Sequence, residues 1–142
     1  MTDTRESLGG DIYYETRLPV LRQLEILRPS FEEWIGVDYM RHYDPTFQRL
    51  HYGPEGSGEL VALGLNASYG KSSFDNDRFH FRLTFIVPAG RLTEAQYLQR
   101  MTRALELLWS HGIPTCTPGW ADELPNAGGE DGPVEWPPWG RD

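Results

Sequence analysis

The stretch of this chain that most resembles a chemical motif is Gly64-Leu65-Asn66-Ala67-Ser68-Tyr69-Gly70-Lys71-Ser72, which has the outline of a phosphate-binding loop. Five residues separate its glycines where a phosphate loop has four. The residues after Lys71 lead through a polar loop toward an alternating segment, whereas a phosphate loop must open a helix whose N-terminal amides face the anion. Nucleotide binding is therefore not expected there. The four histidines, His42, His51, His80 and His111, show no i, i+4 pairing with an acidic neighbour, so no metal site is expected. Cys116, the single cysteine, sits in Pro114-Thr115-Cys116-Thr117-Pro118 with neither a helix N-terminus nor a basic neighbour to lower its pKa. It is expected to be a small buried hydrophobe. Asp75 with Asp77, and Glu130 with Asp131, supply too few spaced oxygens for calcium. No cofactor is implied.

Two groups of residues keep a functional reading. His80 and Arg82 alternate along an expected strand and share its outer face, with Asn66 and Ser68 as their expected neighbours across a hairpin. His51, Tyr52 or Glu59 could extend this polar patch into a small-ligand or catalytic site, although no base and nucleophile are paired by spacing. The ordinary reading is the solvated face of a half-buried sheet. The second group is the acidic C-terminal stretch. Asp122, Glu123, Glu130, Asp131 and Glu135 are interleaved with Trp120 and Trp136, and no Lys or Arg occurs between His111 and Arg141. Aromatic anchors ringed by carboxylates suit an interface with a basic protein partner. The same tryptophans would also pin the stretch to its own domain or serve a homodimer interface.

The elements that must position these residues are set by periodicity. Val61, Leu63, Leu65, Ala67 and Tyr69 alternate with polar or small residues over 59–69, and Phe79, Phe81, Leu83, Phe85 and Val87 do so over 79–87. Period two predicts strands, here paired as an antiparallel hairpin. Thr93 and Gln96 make a capping box, and Tyr97, Leu98, Met101, Leu105 and Leu108 form a stripe at helical spacing. Gly112 suits the left-handed end position, so a helix is expected over about 94–111. Ser30 and Glu33 suggest a second capping box opening a helix from Phe31 to about His42. Leu18 to Leu27 favours a helix with Pro19 in its first turn, and Ile12 to Thr16 fits either a short strand or a loose arm. Residues 1–11 are expected to be a flexible N-terminus. Beyond Pro114 the prolines and glycines exclude a long helix or central strand, while the tryptophans are costly to leave in water. Residues 114–142 are thus expected to wrap over the domain as an extended arm.

The expected fold is a single α+β domain over 1–142: an antiparallel sheet against one long helix, one or two N-terminal helices and the Pro/Gly/Trp-rich arm. At 142 residues, 39% hydrophobic and 13% aromatic, one core closes without staples. A net charge of −8, with Lys71 the only lysine, argues against nucleic acid and for a basic partner. No apolar run approaches a membrane span, no signal segment is visible, and the lone cysteine suits a reducing, cytoplasmic compartment. Gly112-Ile113-Pro114, Glu123-Leu124-Pro125-Asn126-Ala127-Gly128-Gly129 and Val134-Glu135-Trp136-Pro137 together are similar to the C-terminal ends of small bacterial immunity-like proteins. That resemblance covers about a quarter of the chain and implies a noncatalytic inhibitor that masks a basic toxin or nuclease.

Overall fold

The computed structural model describes residues 8–67, 69, 79–88 and 90–117. They form an α+β structure in which a six-stranded sheet carries its helices on one face. In chain order the elements are β1 (Leu8–Tyr14), α1 (Val20–Ile26), α2 (Arg28–Trp34), a 3-10 turn (Tyr39–His42), β2 (Tyr43–Asp44), β3 (Arg49–Tyr52), β4 (Leu60–Leu65), β5 (Phe81–Val87), α3 (Glu94–Trp109) and β6 (Thr115–Cys116). The strand order is β2-β3-β4-β5-β1-β6, antiparallel at every pairing.

The expected hairpin is present as β4 and β5, in a register that sets Leu63 opposite Leu83 and Gly64 opposite Arg82. Alternation places Val61, Leu63, Leu83, Phe85 and Val87 on the helix side, where they are buried. The pattern breaks where β4 ends: Leu65 is 64% exposed and Asn66 only 4%. Asn66 turns inward because its amide donates to the Phe79 carbonyl at 3.0 Å, while its backbone N–H donates to the His80 carbonyl.

β1 lies between β5 and β6, paired with β5 along its whole length from Leu8 to Tyr14. It begins within the stretch expected to be flexible. Its Gly9-Gly10 start has little strand propensity of its own, and pairing on both sides with the bulk of Ile12 and Tyr14 supplies the stability. Ile12 and Tyr14 are fully buried in the core.

α3 carries both expected ends. Thr93 accepts from the Gln96 N–H, and the Gln96 side chain accepts from the Thr93 N–H. At the other end Gly112 has φ +71°, the Gly112 N–H donates to Trp109, and the Ile113 N–H donates to Leu108. This is a Schellman motif that satisfies the last carbonyls. Tyr97, Met101, Leu105 and Leu108 of the stripe are buried, with Ala104 and Trp109 beside them. The Tyr97 hydroxyl donates to the Phe85 carbonyl at 2.5 Å, and the Trp109 indole donates to Thr115 at 2.9 Å, so α3 is tied to β5 and to β6.

The helix expected from Phe31 to His42 is corrected. α2 opens three residues earlier at Arg28, because Pro29 is pre-set for a first helical turn, and Ser30 is buried inside the helix instead of capping it. Its Oγ has no hydrogen-bond partner among the described residues. Gly36, at φ +115°, stops the helix well short of His42, leaving only the short 3-10 turn. Glu33, freed from capping, faces Arg103 at 3.5 Å and Arg100 at 3.8 Å on α3. α1 matches the helix expected over 18–27. Its buried Gln23 accepts from the Tyr14 hydroxyl at 2.5 Å and donates to the Leu18 carbonyl at 2.8 Å, which pins α1 to the sheet. Burial pushes the Tyr14 and Tyr97 phenols well above their ordinary pKa.

Candidate functional site

The sheet has two faces, and the described helices take only one. On the other, alternation projects Gly9 and Asp11 from β1, Arg82, Thr84 and Ile86 from β5, Leu60, Ala62 and Gly64 from β4, and Arg49 and His51 from β3. The registers stack these into rows. One row runs His51, Ala62, Thr84, Asp11, and the next runs Gly64, Arg82, Tyr13, Cys116. Arg49 extends the second row, since a Cβ on Gly64 would lie 3.3 Å from the Arg49 Cβ. Small residues on β4 thus sit between larger ones on β3 and β5. The result is an open cavity of about 630 Å³ lined by Asp11, Phe47, Arg49, His51, Ala62, Gly64, Arg82 and Thr84, among others.

The charge on this face is uneven. Arg49 and Arg82 are exposed and lie two strands apart, about 10 Å between backbones. Among the described residues neither forms an ion pair: the carboxylates that do pair meet Arg22, Arg28, Arg91, Arg100, Arg103 or His80. The Arg49 guanidinium rests 5.3 Å from the Phe47 ring centroid, an arrangement that holds the cation over the cavity rim. Asp11, the one carboxylate on this face among the described residues, is already engaged by the Thr84 hydroxyl at 2.6 Å and by the Tyr13 hydroxyl at 3.4 Å. Two forked cations across a floor of Gly and Ala can hold a carboxylate or phosphate from both sides.

A smaller cavity of about 310 Å³ adjoins the first, sharing Phe47 and Leu65 with it, and is otherwise lined by Pro19, Val20, Thr46, Gln48, His80 and Phe81. Its Phe47 comes from the β2–β3 turn, where the Asp44 carboxylate accepts from the Thr46 and Phe47 N–H groups and Gln48 closes the turn at φ +51°. Phe47 is 66% exposed, so the wall between the cavities is apolar and open to solvent. The His80 ring is stacked between Tyr69 and Phe81, with centroids at 4.4 and 5.0 Å. Glu15 accepts from the His80 N–H at 2.7 Å and lies 3.8 Å from His80 Nδ1.

The residues singled out on the hairpin therefore separate. Arg82 lines the large cavity, His80 lines the small one, and Asn66 is buried as a structural tie. Ser68 lies outside the described residues, as do Trp120, Asp122, Glu123, Glu130, Asp131, Glu135 and Trp136 of the acidic arm. His51 joins the large cavity, whereas Tyr52 packs against the His42 ring at 4.6 Å and Glu59 pairs with Arg91. Periodicity does not single out Asp11 and Arg49. β3 is four residues long with one buried side chain, Leu50, too little alternation to announce a strand. Cys116 is fully buried. Among the described residues no group of three or more His, Cys, Asp or Glu could hold a metal, and no helix is long and apolar enough to cross a membrane. No family model, curated protein or solved structure matches the chain.

Proposed function

We propose that this protein is a noncatalytic binding domain that recognises an anionic segment or surface of a partner with the outer face of its sheet. One observation carries the reading: Arg49 and Arg82 flank Gly64 on the face that no described helix covers, and neither has a carboxylate partner among the described residues. Both guanidiniums are exposed, and an incoming carboxylate or phosphate can meet them with charge-assisted hydrogen bonds. The cations in the cavity lining are the guanidiniums of Arg49 and Arg82, so anion binding is the chemistry that lining favours.

The test is a titration of the ¹⁵N-labelled protein with a short oligoglutamate peptide. Amide shifts are expected at Ala62, Gly64 and Thr84, weakening as salt rises. Arg49→Glu with Arg82→Glu should reduce affinity at least about tenfold, equivalent to about 1.4 kcal/mol, with the thermal midpoint unchanged. Shifts that survive the double reversal would refute the assignment.

A second reading rests on composition. The stretch after Cys116 holds Trp120 and Trp136 among Asp122, Glu123, Glu130, Asp131 and Glu135, which suits an immunity- or inhibitor-type protein that masks a basic partner such as a toxin or nuclease. Under that reading, charge reversal at Asp122, Glu123, Glu130 and Asp131 abolishes association with the basic partner and leaves the fold intact. Unchanged affinity rules it out.

A further inference from the structure

The two adjoining cavities differ in chemistry. Arg49, Arg82 and Asp11 line the larger one, whereas no described residue lining the smaller one carries a permanent charge. Its one titratable side chain, His80, already faces Glu15 at 3.8 Å. The apolar lining comes from three places: Pro19 and Val20 where α1 begins, Phe81 where β5 begins, and Phe47 with Leu65 in the wall shared with the larger cavity. Phe47 and Leu65 are 66% and 64% exposed. A single exposed apolar side chain needs no explanation, but two that form one wall between two cavities mark an interaction surface. Neither side chain is what holds its own segment in place. The Asp44 carboxylate closes the turn that carries Phe47 by accepting from the Thr46 and Phe47 N–H groups, and Leu65 is fixed by its strand pairing with Phe81.

Cation and apolar wall lie within one side chain of each other, since the Arg49 guanidinium is 5.3 Å from the Phe47 ring centroid. The register gives the same proximity: Gly64 faces Arg82, and the next pair along, Leu65 and Phe81, is about 3.3 Å further on. From this division we propose that the anionic ligand is an acidic peptide segment with a leucine- or phenylalanine-sized side chain beside its carboxylates. The carboxylates meet Arg49 and Arg82, and the apolar side chain enters the small cavity past Phe47 and Leu65. The assignment rests on the anion binding proposed for the outer face and adds what selects among acidic segments. Any run of carboxylates satisfies two guanidiniums, whereas an apolar hollow rewards only a segment with a side chain to fill it. In an extended peptide alternate side chains point the same way about 6.6 Å apart, so an apolar residue flanked by acids spans both cavities. The volume of about 310 Å³ has room for one such side chain.

The experiment titrates the ¹⁵N-labelled full chain with two heptapeptides of equal charge, one with phenylalanine and one with serine between two runs of three glutamates. The phenylalanine peptide is expected to bind about tenfold more tightly and to shift the Val20, Gln48 and His80 amides in addition to those of Ala62, Gly64 and Thr84. Rising salt should weaken both peptides and preserve their ratio, because the apolar contact is not screened. Leu65→Ser is expected to cut the preference to about twofold or less; should that variant be unstable, the two peptides on the unaltered chain decide the matter alone. Equal affinities, with shifts confined to Ala62, Gly64 and Thr84, would overturn the apolar site while leaving the outer face an anion-binding surface. 3-Phenylpropionate, with the same ring and one carboxylate, should bind at least about tenfold more weakly than the phenylalanine peptide; equal binding would assign the site to a small aryl acid and overturn the peptide. Unchanged affinity of both peptides for Arg49→Glu with Arg82→Glu would remove the anion-binding reading and this assignment with it.

Discussion

Gln23→Leu removes a fully buried amide that serves two groups: it accepts from the Tyr14 hydroxyl at 2.5 Å and donates to the Leu18 carbonyl at 2.8 Å. Leucine nearly matches the volume, so the loss is polar and not a cavity. Tyr14 is fully buried, and its hydroxyl, left without its acceptor, costs about 1–3 kcal/mol. The Leu18 carbonyl lies in a partly exposed segment, can turn to water, and adds about 0.5–1 kcal/mol. Burying a leucine in place of an amide returns a part of this, which leaves a net loss of about 2 kcal/mol. Tyr14→Phe orphans the Gln23 carbonyl oxygen and is expected to cost about 1 kcal/mol. The double variant removes both partners, so its total should stay near or below 1 kcal/mol, giving a coupling of about 2 kcal/mol. Urea titrations at neutral pH with matched slopes measure each term, and near the thermal midpoint about 3 °C corresponds to 1 kcal/mol. A Gln23→Leu protein within about 0.5 kcal/mol of the unaltered chain, or additive single changes, would refute the role given to this tie between α1 and the sheet.

Two further predictions concern stability. Burial raises the Tyr14 and Tyr97 phenols, so below about pH 10 both are protonated in the folded and unfolded chain alike and have no pH effect. Above that pH the unfolded chain releases protons that the folded one retains, and each tyrosine lowers stability by up to about 1.4 kcal/mol per pH unit until its raised folded pKa is reached. Unfolding monitored by circular dichroism from pH 9 upward checks this, and Tyr97→Phe should flatten the decline; an unchanged slope would contradict the raised phenol. Thr93→Ala removes half of the capping box that opens α3 and should cost about 1 kcal/mol, whereas Thr93→Ser should retain most of that stability. Equal losses for the two substitutions in denaturant titrations would refute the hydroxyl's role.

Part of this protein is legible in its sequence. α3 is readable end to end because its signals are local: a cap three residues from its partner, a stripe at one period, and a glycine at the left-handed position. The β4–β5 hairpin is readable because seven alternating residues in β5 leave no competing period. The α2 boundary misleads because Ser30 and Glu33 have the spacing of a capping box, while Pro29 and Gly36, which set the actual ends, act through backbone conformation. β2, β3 and β6 are two to four residues long, and such strands exist only because a neighbouring strand offers hydrogen bonds. Chain order also says nothing about β1, the first strand, lying between β5 and β6.

The candidate site divides in the same way. Residue types along single strands are enough to place Arg82 and Thr84 on an outer face, and composition alone concentrates acid and tryptophan beyond Cys116. Which residues stand beside Arg82 is decided by register: Arg49 and His51 arrive from a strand too short to be recognised, and Asp11 from one whose pairing depends on the sheet order. Asn66 and His80 move the other way, one into a buried tie and the other into a separate cavity, because the alternation fails at the end of β4. Periodicity is a property of one segment and can be read from it. A face is a property of several segments paired at a given register, and its charge and shape come into existence only when they pair.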